Sequence, residues 1–302
     1  MFIRSLTIIS RILCFISLTF LTACTPMINK QNSPEYILRT DSKGANNLDL
    51  QHEIFKHESF TQLKKADLSK GMVVWDIGCG SGVMTEYLAE MVGNTGQVYA
   101  IDASEDQIQA TKNRIEAAGY KNVTFIVGDI NNLDSNAYNK ADIVYARFLL
   151  MHVNDPTKVI KLMASLLKPN GVLSLQESTM TTIQDEKNNN PDINKLYDLM
   201  MAYGVKKGFD YNIGSKLSTI CNKSHLFSTV QHYTKNYNTT DHIKHLISLR
   251  VDELEDKLVT ANLISEDQYK SLQKRLHSFL KDKKSDQCII VPEQSHVLCI
   301  KE

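Results

Sequence analysis

Charge of one sign is missing from this 302-residue chain: 34 Lys and Arg stand against 34 Asp and Glu, a formal net charge of zero. So balanced a chain has no overall attraction for a polyanion, and nucleic acid is not expected as a partner. Removing the first 24 residues takes away only Arg4 and Arg11 and leaves the remainder slightly acidic. The apolar run at 12–20 is too short to span a bilayer comfortably. The 6 cysteines make neither a CxxC pair nor a Cys/His ligand spacing. Cys14 and Cys24 lie near the start, Cys79 sits in a glycine loop, and Cys221, Cys288 and Cys299 are scattered. They read as reduced thiols in apolar niches, and no disulfide framework or metal site is expected. No internal repeat is visible, and 42% hydrophobic with 23% charged residues excludes collagenous, coiled-coil and wholly disordered classes.

The opening residues are unlike the rest. Arg4 and Arg11 precede or flank the 12–20 run, the layout of a signal-peptide core. Leu21-Thr22-Ala23-Cys24 follows and resembles the bacterial lipobox, which implies lipidation of Cys24 and a membrane-anchored lipoprotein. The competing reading is a chance apolar leader or an upstream extension, with Met27 initiating a cytoplasmic form. Membrane contact is expected only through this leader, residues 1–26.

From Met72 onward, short β-branched runs alternate with amphipathic helical segments, the pattern of a parallel α/β sheet. Strands are expected at 73–77, 97–101, 123–127, 143–146 and 172–176, with two more at 227–233 and 296–300. Ser104-Glu105-Asp106-Gln107 is a capping box whose helix Gly119 closes. Asp155-Pro156 starts another helix with the stripe Val159, Leu162, Met163 and Leu166, and Pro169-Asn170-Gly171 is expected to turn the chain into the fifth strand. A leading helix is expected at 48–66 after a polar segment at 29–47, and a surface linker at 181–190 precedes a helix at 193–205. Residues 241–282 read as a helical hairpin. Ile243, Ile247, Val251, Leu254 and Leu258 would face inward and Lys244, Asp252 and Glu255 outward, and Ser265-Glu266-Asp267-Gln268 would cap the second helix ahead of Tyr269, Leu272, Leu276 and Phe279.

Chemistry concentrates at Asp76-Ile77-Gly78-Cys79-Gly80-Ser81-Gly82, a glycine loop joining the first strand to the first helix of the sheet. Glycines admit positive φ and close approach of a ligand to backbone, and the new helix offers free amides. Asp102 ends the second strand, where a carboxylate can accept both hydroxyls of a ribose, and Asp129 follows the third strand. A dinucleotide loop of the form GxGxxG would need glycine at position 83, where Val83 stands.

These residues, with Ile101-Asp102, Gly128-Asp129-Ile130 and Leu167-Lys168-Pro169-Asn170-Gly171, resemble in order and spacing the class I S-adenosylmethionine (SAM) dependent methyltransferases. The resemblance implies a Rossmann-like, doubly wound, mostly parallel seven-stranded sheet with a helical insertion as lid. Together with the leader read above at 1–26, it divides the chain into an N-terminal segment and cap helix at 27–66, a SAM-binding core at 67–180, and a remainder at 181–302 that carries the lid at 241–282. SAM is the implied cofactor. Gly78, Gly80 and Gly82 would present loop backbone to its methionine part, with Asp76 ordering that loop. Asp102 would hold the ribose with Ala103 beside it, Asp129 the adenine amino group with Ile130 packed on the ring, and backbone near Arg147 would lie beside the methionine ammonium.

Methyl transfer needs little from side chains, because in-line alignment supplies much of the rate, up to about 7 to 11 kcal/mol in favourable systems. His152, Asp210 and Tyr211 are the candidate general bases. Tyr36-Ile37-Leu38 and the 241–282 hairpin resemble the acceptor-covering parts of a small-molecule subgroup, although the final strand, Val297-Leu298-Cys299-Ile300-Lys301-Glu302, departs from that subgroup's Trp-Gly-Arg-Lys-like ending. Two readings stand side by side: an enzyme methylating a small or lipid-like acceptor, and a lipid-anchored envelope protein using a SAM-like fold for binding alone. Neither the acceptor nor the oligomeric state is specified by the residues.

Overall fold

The alternation of β-branched runs and capped helices builds the expected architecture. The computed structural model describes residues 42–180, 190–237, 241–282, 289 and 291–302. Cys24, Met27, Tyr36, Cys288 and residues 181–189 of the expected linker lie outside the described residues. Helix α1 (Ser42–Lys65) leads into β1 (Val73–Ile77), α2 (Val83–Val92), β2 (Gln97–Asp102), α3 (Glu105–Ala117), β3 (Val123–Val127), β4 (Ala141–Arg147), α4 (Pro156–Leu166) and β5 (Leu167–Thr179). There follow α5 (Pro191–Lys207), α6 (Leu217–Ser224), β6 (Phe227–Lys235), α7 (Asp241–Thr260), α8 (Glu266–Lys281) and β7 (Glu293–Lys301).

The strands form one sheet in the order β3-β2-β1-β4-β5-β7-β6. It is parallel from β3 to β5, and β7 runs antiparallel to both β5 and β6. Strand order reverses between β1 and β4, so the carboxyl ends of β1, β2 and β4 open onto one crevice, where such sheets bind ligands. Val74, Trp75, Ala100, Val144, Leu173 and Val297 are fully buried, as strands covered on both faces require. Trp75 stacks on Tyr99 at 4.8 Å and meets the edge of Tyr138 at 5.1 Å, fixing the middle of the sheet.

Local signals set the helix ends. The Ser104 hydroxyl accepts the Gln107 amide at 3.4 Å, and Gly119 (φ +80) stops α3. Asp155 accepts the Lys158 amide at 2.9 Å ahead of Pro156. Ser265 and Gln268 cap α8 reciprocally. Caps of this kind contribute about 0.5–2 kcal/mol each. Asn122 donates to the Ala89 and Gly93 carbonyls, each at 2.9 Å, satisfying the end of α2.

Several boundaries differ from expectation for identifiable reasons. Helix α1 begins at Ser42, inside the stretch expected to be loose, because Asn47 is buried and donates to Glu253 on α7. Strand β5 begins at Leu167: Leu167 pairs with Ala141, the chain bulges through Asn170 (φ +62), and Val172 rejoins opposite Ile143. The Pro-Asn-Gly signal therefore marks a bulge rather than a turn before the strand. Asn190, placed in the linker by sequence, accepts the Asp192 amide at 2.8 Å and caps α5. Helix α6 went unrecognised.

The hairpin of α7 and α8 stands between β6 and β7 in the chain. Ile243, Ile247, Val251, Leu254 and Leu258 are buried as expected, as are Tyr269, Leu272 and Leu276. Leu280 rather than Phe279 completes that face, and of the three expected outward residues Asp252 is exposed while Lys244 and Glu255 are half-buried. Among the described residues no helix is long and apolar enough to cross a membrane.

Candidate active site

Beyond Ile77 the chain turns through Gly78 (φ +73), Gly80 (φ +56) and Gly82 (φ +82) into α2. A Cβ on Gly78 would lie 2.9 Å from Leu149 Cδ1, so this glycine keeps a cradle open under the loop that follows β4. At Gly82 a Cβ would meet Thr111 Cγ2 at 2.7 Å, so its bareness lets α2 start against α3.

Asp76 is buried and its Oδ2 accepts the Thr85 hydroxyl proton at 2.6 Å, tying the strand end to α2. Burial raises its pKa to about 6, against the opposing pull of the Thr85 bond and of Arg147. Asp102 joins the loops after β1 and β2: Oδ2 accepts the Gly80 amide at 3.0 Å and Oδ1 the Ser104 amide at 2.9 Å. Burial pushes this carboxyl up and the backbone amides pull it back. The Ala103 amide also bonds the carboxylate, so three backbone amides hold it in place while part of its acceptor capacity stays open. Asp129 accepts the Asn131 amide at 2.8 Å and the Asn131 side chain at 3.0 Å, capping a 3-10 turn, Ile130–Asn132, while remaining on the cavity wall. Arg147 Nη1 donates to Ser59 Oγ at 3.2 Å and lies 3.5 Å from His52 Nδ1. Burial, with Arg147 beside it, lowers the His52 pKa to about 4 and keeps that ring neutral.

Asp76, Gly78, Gly80, Asp102, Ala103, Asp129, Ile130 and Arg147 thus surround one cavity of about 830 Å³. Leu48 and Gln51 of α1, with Phe209, complete its wall, and the sequence reading did not single them out. A second, mostly apolar cavity of about 100 Å³ adjoins it through the shared residues Gln51, Phe148 and His152. Phe55, Met151, Met180, Leu196, Met200, Ile243 and Ile247 make up its apolar lining.

The three candidate bases separate in space. His152 is buried in a 3-10 turn, Leu150–His152, and faces both cavities. Burial, with Arg250 and Lys257 nearby, brings its pKa to about 3, and so weak a base accepts a proton poorly at neutral pH. Tyr211 lines the apolar cavity, its ring 5.4 Å from that of His152, and bare Gly204 lets α5 approach it, since a Cβ there would fall 2.9 Å from the Tyr211 ring. Asp210 stands apart from both cavities: its carboxylate pairs with Lys216 and accepts the Asn212 amide, because a local turn captures it.

Glu177 was missed entirely. Its Oε1 accepts the Leu149 and Leu150 amides at 2.8 and 2.6 Å and so anchors the loop that carries Phe148 and His152. Oε2 is buried with no partner among the described residues, and burial lifts the carboxyl to about 8. Its sequence neighbours Gln176, Ser178 and Thr179 are polar, so no local pattern marks it, and only the fold shows it buried.

The residues suit SAM on the structure's own terms. The cradle at Gly78 is one a side chain would fill, and Asp102 offers free acceptor capacity for paired hydroxyls. Among the described residues no group of His, Cys, Asp and Glu is arranged to hold a metal ion.

Sheet order, glycine loop and the carboxylate ending β2 define a Rossmann-like methyltransferase fold. The chain belongs to the methyltransferase domain family, whose model matches residues 68–273. It is similar to the demethylmenaquinone methyltransferase of Anoxybacillus flavithermus, 27% identical over 159 residues, or 51% of this chain and 67% of that protein. The Staphylococcus aureus protein of the same name is 32% identical over 133 residues, 44% of this chain and 53% of the relative. The chain therefore spans between about half and two thirds of the length of these relatives. In fold it is similar to the YcgJ protein of Bacillus subtilis (TM-score 0.55, 18% identity, covering 82% of this chain and 99% of that one). It also matches a phosphoethanolamine N-methyltransferase of Haemonchus contortus solved with phosphomonomethylethanolamine and S-adenosylhomocysteine (TM-score 0.53, 18% identity, 91% and 61%).

Proposed function

We propose that this protein transfers a methyl group from SAM to a small, lipid-like acceptor. One observation carries the reading: the cavity walled by Gly78, Asp102 and Asp129 adjoins an apolar cavity through Gln51, Phe148 and His152. Bound SAM would supply an activated methyl on a sulfonium, whose positive charge is lost in the transfer. The chain's own residues hold and orient. Asp102 accepts from the ribose hydroxyls, the Gly78 and Gly80 backbone cradles the methionine part, Asp129 and Ile130 receive the adenine, and Asp76 fixes the loop through Thr85. Phe148, Met151 and Met180 keep water from the acceptor side, which favours an apolar substrate, and the names of the demethylmenaquinone methyltransferases support a lipid-like one. Neutral His152 serves as an apolar wall more readily than as a base. The α7–α8 hairpin covers the acceptor side as a lid.

Calorimetry with S-adenosylhomocysteine, followed by transfer of labelled methyl from SAM to a lipid extract, tests this reading. Absence of cofactor binding by folded protein defeats it. We place the catalytic form in the cytoplasm, where SAM is made, starting near Met27. Fractionation of the native host with and without Cys24→Ala checks that placement. A wholly membrane-bound protein released by the substitution would favour the lipid-anchored reading instead.

A further inference from the structure

The apolar cavity has a cation in its wall. Arg250, on α7, lines it among Phe55, Met180, Leu196 and Ile247. Its side chain is only 12% exposed. Among the described residues its bonded partner is Glu253, which Nη1 meets at 3.1 Å and which also accepts from Asn47 on α1. A guanidinium carries five N–H donors in a rigid fork, so among the described residues most of the fork has no acceptor and faces the cavity side open to a ligand. Tyr197, on α5, lines the same cavity, and the charge of Arg250 opposes the upward push of burial on its phenol. The same charge helps to keep His152 neutral. Glu253 and Asn47 hold the pair from behind, so Arg250 is positioned rather than free to swing into solvent.

We propose that Arg250 determines acceptor specificity by binding an acidic oxygen, a carboxylate, phenolate or enolate, on an otherwise apolar substrate. This rests on the methyl-transfer reading for the identity of the ligand as an acceptor. A planar fork suits a delocalised oxyanion, and the surrounding methionine and aliphatic side chains suit the apolar body. An oxyanion placed here lies in the cavity that His152 and Phe148 join to the cofactor side, so the group that Arg250 holds sets which end of the substrate faces the methyl donor. No proton transfer or bond change is assigned to Arg250 itself.

The test uses two probes with the same tail and different heads, octanoate and 1-octanol, titrated calorimetrically into the full chain with and without S-adenosylhomocysteine. Octanoate is expected to bind about tenfold or more tightly than octanol, a difference of about 1.4 kcal/mol or more. Arg250→Met should erase that preference while leaving octanol affinity unchanged, and Arg250→Lys should restore part of it. Because Arg250→Met strands Glu253, the double variant Arg250→Met/Glu253→Gln provides the same comparison in a protein with no orphaned carboxylate. Equal affinity for the two probes in the unaltered protein, no binding of either, or a preference that survives both Met variants would overturn the proposal. Loss of S-adenosylhomocysteine binding alone, with the head-group preference intact, would count against the methyl-transfer reading and not against this one.

Discussion

Arg114 on α3 grips both carboxylate oxygens of Asp49 on α1, with Nη2 at 2.8 and 2.7 Å. Its Nε donates to the Ser81 carbonyl at 3.0 Å, and the Ser81 hydroxyl donates to Asp49 at 3.0 Å. A helix that precedes the sheet is thereby fastened to the glycine loop, with Leu48 and Gln51 beside the joint closing over the larger cavity. Exposed pairs of this kind contribute roughly 0.2–1 kcal/mol, enough to set how often α1 lifts without deciding whether the protein folds. Asp49→Ala should therefore raise the association and dissociation rates of S-adenosylhomocysteine together, by about 2- to 5-fold, with little change in equilibrium affinity. Stopped-flow mixing measures both, and unchanged rates would rule α1 out as the gate.

Asp102 stands where two loops meet, so its loss acts twice. Asp102→Ala removes the acceptor for the Gly80 and Ser104 amides and the acceptor for the ribose. The expected cost in S-adenosylhomocysteine affinity is about 1.5 to 3 kcal/mol, as for charge-assisted hydrogen bonds. Asp102→Asn, which keeps one oxygen, should fall between. An unchanged calorimetric affinity in folded Asp102→Ala would remove the residue from the site.

Glu177 makes a pH signature. Its carboxyl titrates near pH 8 in the fold, above the ordinary value of 4.5. Between those two values the folded protein keeps a proton that the unfolded chain releases, so this residue's contribution is full below about pH 4.5 and is lost as pH rises toward 8. Glu177→Gln keeps an acceptor for the Leu149 and Leu150 amides and abolishes the titration. Its stability relative to the unaltered protein should therefore climb between about pH 5 and 8, by on the order of a few kcal/mol. Urea unfolding at several pH values gives the two curves, and parallel curves would contradict the assignment.

The hairpin's inner face is deep in the core, with Val251, Leu254 and Leu258 fully buried, so excising it would test folding rather than lid action. Leu254→Ala should cost about 2–5 kcal/mol in denaturant unfolding, whatever the hairpin does. Lid action is read separately, by hydrogen exchange. The amides of α7 should exchange faster than those of β1 and β4 in the empty protein and slow when S-adenosylhomocysteine and octanoate are both bound. Full protection of α7 at the outset, unaltered by ligands, would leave a packing element only.

Much of this was legible in the residues, and the rest was hidden by tertiary effects. Period, caps and glycines located the five parallel strands and the loop from Asp76 to Gly82, because those signals are local. The outer ends of β5 and β7 were not legible: Glu177, Ser178, Thr179, Gln294 and Ser295 fall outside the expected strands 172–176 and 296–300 yet are all buried. Part of this buried polar layer is paired across the sheet and under α1, as when Ser59 donates to Gln176 at 2.7 Å and Gln294 donates to Ser178 at 3.2 Å. Asp210 shows the converse. Its residue type suits a base, but Lys216 and a turn had already claimed the carboxylate, and no spacing rule reveals that. Arg250 and Glu177 escaped notice because their meaning lies in what surrounds them, which only the folded chain assembles.

Strand β7 lies between β5 and β6, although it follows both in the chain. During synthesis the parallel half of the sheet can assemble as soon as β5 leaves the ribosome, but β6 has no partner strand until residues 293–301 emerge. Throughout that interval one edge of β5 and both edges of β6 are open templates for pairing with other chains. A message truncated before codon 293 would thus yield a product with a nearly complete cofactor cavity and an unsealed sheet, a species destined for chaperones or aggregates.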